Sequence, residues 1–300
     1  MDRFDAMATL IAAVDGGSLS AASRALGMPL ATVSRKVSEL EAQLHAQLLV
    51  RASRRLSLTE AGRAYVAASR RILAEIDDAE RAAAGEYRAP RGALTITAPF
   101  MFGRIHVAPV VLDFLATYPE IAAKLVLADR NLNLIDDHVD VAVRIGRLAD
   151  SRMVATRLGA VRWVACASPG YLEARGAPET PAALGAQDCI LFEGINATRL
   201  WRFGRGGRAR EVAIRPRFAV NTADAAIAAA IAGAGIVRAL SYQVRAPVAE
   251  GRLRIVLGAF EPEPLPVHLV HAGRTLLPLK LRAFLDFAAP RLKAALADAG

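Results

Sequence analysis

The sequence predicts an α/β protein in two parts: an N-terminal all-α winged helix-turn-helix with a long linker helix, then a larger α/β domain. Three observations lead there. Two short helical segments flank a Gly-containing break at Gly27. An arginine-rich pair of short strands and a long helix follow them. Beyond Gly92, apolar runs of strand length alternate with helical segments, which is the pattern of a mostly parallel sheet covered by helices. With 300 residues the chain is long enough for two or three domains.

Phe4, Met7, Leu10, Ile11 and Val14 recur at helical spacing, predicting a helix over 3–15 that Gly16-Gly17 stops. Ser18 offers an N-cap oxygen to a second helix ending at Leu26. Gly27-Met28-Pro29 breaks that helix, and Pro29 takes the first position of a third, where its missing N–H costs nothing. The third helix runs to about Leu44, with Val33, Val37, Leu40 and Leu44 as its buried stripe.

In a helix-turn-helix the second helix enters the major groove N-terminal end first. The expected readers are Ala31, Thr32, Ser34, Arg35 and Lys36. Arg pairs bidentately with guanine, Thr and Ser bond to base or phosphate, and a methyl group touches thymine. An ordinary solvated helix face would also carry such residues, so the next segment matters. Residues 48–51 and 54–58 read as strands around Ala52-Ser53. In that hairpin Arg51, Ser53, Arg54 and Arg55 are placed to grip phosphate or enter a minor groove.

A helix follows over 59–87, with Tyr65, Ala68, Ile72, Ile76, Ala79 and Ala83 in a heptad-like seam. The seam suits pairing with a second copy, or packing on its own chain. Pro90-Arg91-Gly92 reads as a hinge. The net charge of +9 is concentrated in this half: between Arg24 and Arg71 nine bases face three acids, Glu39, Glu41 and Glu60. That excess points to a polyanionic partner, although general arginine richness would give part of it.

In the second half, strands are expected at 93–97, 123–127, 139–144, 163–167, 190–193, 217–220 and 236–238. Helices are expected at 105–118, 132–138, 169–175 and 223–232. In such sheets ligands sit beyond the carboxyl ends of strands, at helix N-termini.

The chain resembles the LysR-type transcriptional regulators. The residues that carry this are Ser18-Leu19-Ser20-Ala21-Ala22-Ser23-Arg24-Ala25-Leu26, Thr32-Val33-Ser34-Arg35-Lys36-Val37, Leu40-Glu41, Leu48-Leu49-Val50-Arg51 and 54–62. Arg91-Gly92-Ala93-Leu94, 140–146, Ala167-Ser168-Pro169-Gly170-Tyr171-Leu172 and 232–236 extend it over nearly the whole chain. It departs at Pro29 and Leu30, where polar residues are usual, and at His45-Ala46-Gln47, which replaces a Gly-containing turn.

The resemblance implies a DNA-binding domain over 1–58, a linker and dimerisation helix with hinge over 59–91, and an effector domain over 92–300. The effector domain is expected to be two-lobed, like the type 2 periplasmic binding proteins, with lobes 92–161 plus 267–300 and 162–266. The implied cleft collects Pro99, Phe100, Met101, Phe102, Arg144, Asn196, Asn221, Thr222 and Arg238. Arg144 and Arg238 would meet an anionic small-molecule effector, or else make inter-lobe salt bridges with Asp140 or Glu193. The expected partners are double-stranded DNA, the effector, one or three further copies of the chain and, for an activator, RNA polymerase.

Enzymatic readings lack support. No nucleophile elbow or phosphate loop occurs, and no cofactor motif. His268 and His271 lie three apart in a strand and so point to opposite faces. Asp136-Asp137-His138 with Asp140 reads as a polar surface stretch rather than a metal site. Cys166 and Cys189 make no disulfide framework. The acidic N-terminus lacks the look of a signal peptide, and no apolar run approaches a membrane span, so a cytoplasmic protein is expected.

Overall fold

The computed structural model describes residues 2–50, 56–83, 89–130, 132–134, 136–148, 153–194, 198–273 and 277–297, those at 75, 78, 79 and 81–83 by backbone alone. The chain divides into two compact units, Met1–Arg88 and Ala89–Gly300.

The first unit comprises α1 (Arg3–Asp15), α2 (Leu19–Leu26), α3 (Leu30–Leu44), the strands β1 (Leu49–Val50) and β2 (Ser57–Leu58), and α4 (Glu60–Ala83). Local chemistry sets the helix ends. The Asp2 carboxylate accepts from the Phe4 N–H, and Ser18 Oγ accepts from the Ala21 N–H at 3.1 Å. Gly27 ends α2 in the left-handed region, at φ 61°. Pro29 sits one residue earlier than expected, as the N-cap of α3, and the first helical residue is Leu30. His45 closes α3 at φ 50°, its N–H donating to the Ala42 carbonyl and that of Ala46 to Glu41.

The core of this unit gathers Ala6, Leu10, Val37, Leu40, Leu48, Leu49 and Val66. Leu44 does not join the buried stripe, being 37% exposed in the last turn of α3. β1 and β2 pair antiparallel, Leu49 opposite Leu58 and Val50 opposite Ser57. Glu41 Oε1 accepts both the Leu48 and Leu49 N–H groups, which ties this hairpin to α3. α4 packs on α1 with Val66 and Ser69 buried, while the seam residues Tyr65, Ala68, Ile72 and Ile76 are half-buried. Ala79 and Ala83 lie outside the described side chains.

The second unit begins with β3 (Gly92–Ala98), α5 (Phe100–Phe102), a π-helical turn (Gly103–Val107), α6 (Ala108–Thr117), β4 (Ile121–Leu127), β5 (Val141–Ile145) and β6 (Met153–Val161). It continues with β7 (Trp163–Ala167), α7 (Pro169–Arg175), β8 (Cys189–Phe192), β9 (Leu200–Phe203), β10 (Arg210–Ala213), β11 (Pro216–Val220) and α8 (Ala223–Ile231). The last elements are β12 (Ile236–Leu240), α9 (Ser241–Ala249), β13 (Arg254–Val256), β14 (Leu265–Ala272) and α10 (Leu279–Ala297).

Two five-stranded sheets, β4-β3-β5-β14-β6 and β11-β8-β12-β7-β13, form the cores of the two lobes. Each is half parallel and half antiparallel rather than mostly parallel. The returning strand β14 and the strand β7 run against their neighbours, and neither pairing is local in sequence. Two other expectations change. The helix expected at 105–118 begins at Phe100, and the described residues of 132–138 make turns rather than a helix. By length and composition the helical run Phe100–Thr117 could cross a membrane, contrary to the sequence reading. Here it packs on the first sheet through Phe102, Val107, Val110, Val111 and Phe114.

The approach of α4 to β1 leaves no room at Gly62, where an added Cβ would collide with the Leu48 carbonyl oxygen. Gly62→Ala should therefore lower stability by roughly 1–3 kcal/mol. Urea denaturation followed by circular dichroism reads the loss, and an unchanged midpoint would contradict this packing.

Candidate functional site

On α3 the structure sorts the five expected readers. Ala31 and Arg35 are exposed, and Thr32 and Ser34 half-buried. Arg35 holds Glu39 at 2.8 Å, with its side chain 63% exposed, a weak surface pair that leaves the guanidinium free to exchange partners. Lys36 differs from the expectation. Its ammonium is committed to the Asp5 carboxylate and lies 3.3 Å from the Met28 sulfur, with the side chain only 16% exposed. Spacing along α3 could not reveal this, because Asp5 comes from α1. Leu30, 47% exposed at the start of α3, joins the outward face. Of the wing residues, Arg51, Ser53, Arg54 and Arg55 fall outside the described residues, although the strands that carry the wing are in place.

In the second unit the expected cleft residues come from both sheets. Pro99 follows β3 and is half-buried, and Phe100 is exposed, its N–H donating to Asp129 Oδ1 at 3.0 Å. Met101 and Phe102 are buried in the core, so Phe102 is a packing residue rather than an open wall. Asn221 and Thr222 are exposed at the end of β11, and Thr222 Oγ1 caps α8 by accepting the Ala225 N–H. Asn196 lies outside the described residues.

Two inter-lobe contacts bring these ends together. Arg104 pairs with Asp224 at 3.0 Å, and the Phe102 ring meets the edge of Tyr242 at 5.3 Å. The start of the helical run at Phe100 and the first turns of α8 and α9 therefore converge. The sequence reading missed Arg104, Asp224 and Tyr242, since no local signal marks a contact across more than a hundred residues.

The two arginines part company. Arg144 donates to the Leu132 carbonyl at 2.9 Å, which anchors the turn region beside β5. Arg238 projects over the Trp163 ring, 4.6 Å from its centroid. Among the described residues neither makes the expected salt bridge, and Asp140 instead accepts the Thr95 N–H. Burial lowers the pKa of Arg238 to about 10, which leaves it charged at neutral pH. A half-buried, charged guanidinium over one indole has no acidic partner among the described residues. Cys166 and Cys189 are both buried, which raises their thiol pKa values to about 12 and makes them unreactive.

Two family models match the chain: the bacterial regulatory helix-turn-helix protein, lysR family, over residues 4–63, and the LysR substrate binding domain over 88–293. The chain belongs to the LysR family of transcriptional regulators. It is similar to an HTH-type transcriptional regulator of Xanthomonas campestris pv. campestris, at 37% identity covering 93% of this chain and 82% of that one. An HTH-type transcriptional repressor of Pseudomonas aeruginosa is 35% identical, with coverage of 96% and 91%. Among solved structures, CrgA, a LysR-type regulator from Neisseria meningitidis, aligns with a TM-score of 0.62 at 31% identity, covering 96% of this chain and 98% of that one. The regulator thus couples a DNA-binding helix-turn-helix to an effector-binding domain and is not an enzyme.

Proposed function

We propose that Ala31, Thr32, Ser34 and Arg35 read base edges, with Leu30 against a thymine methyl, while Arg51, Ser53, Arg54 and Arg55 hold the DNA backbone. Lys36 instead fixes α3 to α1. Residues 1–58 form the head, and 59–91 pair two copies through the half-buried seam of α4 and hinge them to the effector domain. Its lobes are 92–161 with 265–300, and 162–264, if the second boundary is taken at the start of β14, Leu265, rather than at 267. The regulator works in the cytoplasm as a dimer or tetramer, and as an activator it also meets RNA polymerase.

The effector in this reading is a small organic anion. Arg238 supports this reading: a half-buried guanidinium with an aromatic platform and no acid beside it among the described residues. Asn221 and Thr222, at the end of β11, add hydrogen-bonding groups, and the N-terminus of α8 adds its dipole. An anion bound there favours one lobe arrangement and so changes how the paired heads meet DNA.

Binding to a DNA fragment should weaken linearly in log affinity against log salt, by about 0.9 per phosphate neutralised. Arg35→Ala should cost roughly 1–3 kcal/mol and relax preference at one base position, whereas Arg54→Ala should weaken all sequences evenly. If both variants behaved alike across a base-substitution series, reader and anchor would be wrongly assigned. Arg238→Gln should cost about 1.5–3 kcal/mol in calorimetric affinity for the anionic effector and leave DNA affinity intact. A neutral or cationic effector would refute the charge assignment.

A further inference from the structure

A cavity of about 610 Å3 opens between the π-helical turn of the first lobe and α8 and α9 of the second. Its walls are largely apolar, with Met101, Ile105, Ile227, Ile231 and Pro247 among them. Of the expected cleft residues that are described, only Met101 reaches it.

The charges around this cavity are unevenly matched. Arg104 is paired with Asp224, and Arg252 with Glu250. Arg245 lines the same cavity and has no acidic partner among the described residues. His106 lines it too, packed between Phe102 and Tyr242, and its Nε2 is buried without a hydrogen-bond partner. Burial, with the Arg245 charge nearby, lowers the imidazole pKa and favours the neutral ring. In its Nε2–H tautomer this ring is a donor lacking an acceptor, close to a guanidinium lacking an anion.

We propose that this cavity is a second small-molecule site, built for an apolar monocarboxylate. The hydrocarbon body lies against Ile105, Ile227 and Ile231, where each buried methylene leaves water. The carboxylate sits between Arg245 and His106. Arg245 supplies a charge-assisted hydrogen bond, and a turn of the imidazole about its own axis brings Nε2–H to the second oxygen. Leaving a buried donor unmet is costly, so the acceptor gains more here than on an open surface. A cationic ligand would instead face Arg245, with the lining acid Asp224 already engaged by Arg104. Because both lobes contribute walls, an occupant also biases their arrangement, independently of any anion at Arg238.

Isothermal titration calorimetry on the full chain without DNA tests this with octanoate, octanamide and octylamine. Octanoate should bind, octanamide roughly tenfold or more weakly, and octylamine not at all. Arg245→Gln, at an exposed position, should reduce octanoate to the octanamide level without disturbing the fold. His106→Phe, which keeps a ring against Phe102 and Tyr242, should do the same. Arg238→Gln should bind octanoate as the unaltered chain does, so a failure of the anionic-effector reading leaves this result standing. Equal affinity for octanoate and octanamide, an unaffected Arg245→Gln, or no octanoate binding at millimolar concentration would each overturn the proposal.

Discussion

One ion pair ties together the two places where the chain crosses between the sheets of the effector domain. Arg162, the single residue between β6 and β7, marks the point where the chain leaves the first sheet for the second. Glu261 stands between β13 and β14, just before the chain returns. The Arg162 Nη1 group contacts both carboxylate oxygens of Glu261, at 2.8 and 3.0 Å, and Glu261 is only 11% exposed. The backbone adds a second tie, the Ser241 N–H donating to the Arg162 carbonyl at 2.8 Å. Removing one partner would strand a half-buried charge, which costs far more than an exposed pair contributes. The two crossovers are thus held side by side by this ion pair.

Arg238 lies close to this ion pair. Trp163, the platform under Arg238, directly follows Arg162 in the chain. An anion at Arg238, as proposed, would act next to the Arg162–Glu261 pair. The cavity lined by Ile105 and Ile227 lies where the helices of the two lobes face each other. Ligands at the two places would bias the same lobe arrangement by different routes.

The head was legible because its signals are local. Ser18 caps α2, Gly27 supplies a left-handed turn, and the Val33–Val37–Leu40 stripe follows helical spacing. The pairing of Lys36 was not legible for the complementary reason: its partner, Asp5, comes from another helix. In the effector domain, Trp163–Ala167 and Pro169–Arg175 match expectation, since the strand is a bounded apolar run and Ser168 caps the helix. β6 and β10 alternate too weakly to read, and β9, which does alternate with Trp201 and Phe203 buried, is only four residues long. α9 starts directly where β12 stops, with no breaker between them, and carries Pro247 inside; α10 likewise contains Pro290. Local rules argue against both helices, and tertiary packing overrides them. Arg144 and Arg238 were indistinguishable as sequence, and only a carbonyl from the 132 region and an indole from β7 separate them.

The account rests on the coupling of ligand to DNA, and nuclease protection of the DNA upstream of the coding sequence measures it most directly. Protection should be recorded with and without a panel of small organic acids and their neutral amides. The account predicts an extended or shifted footprint with at least one acid and none with its amide, and the shift should vanish in Arg238→Gln. A footprint that no acid alters, or that an amide alters equally, would contradict it.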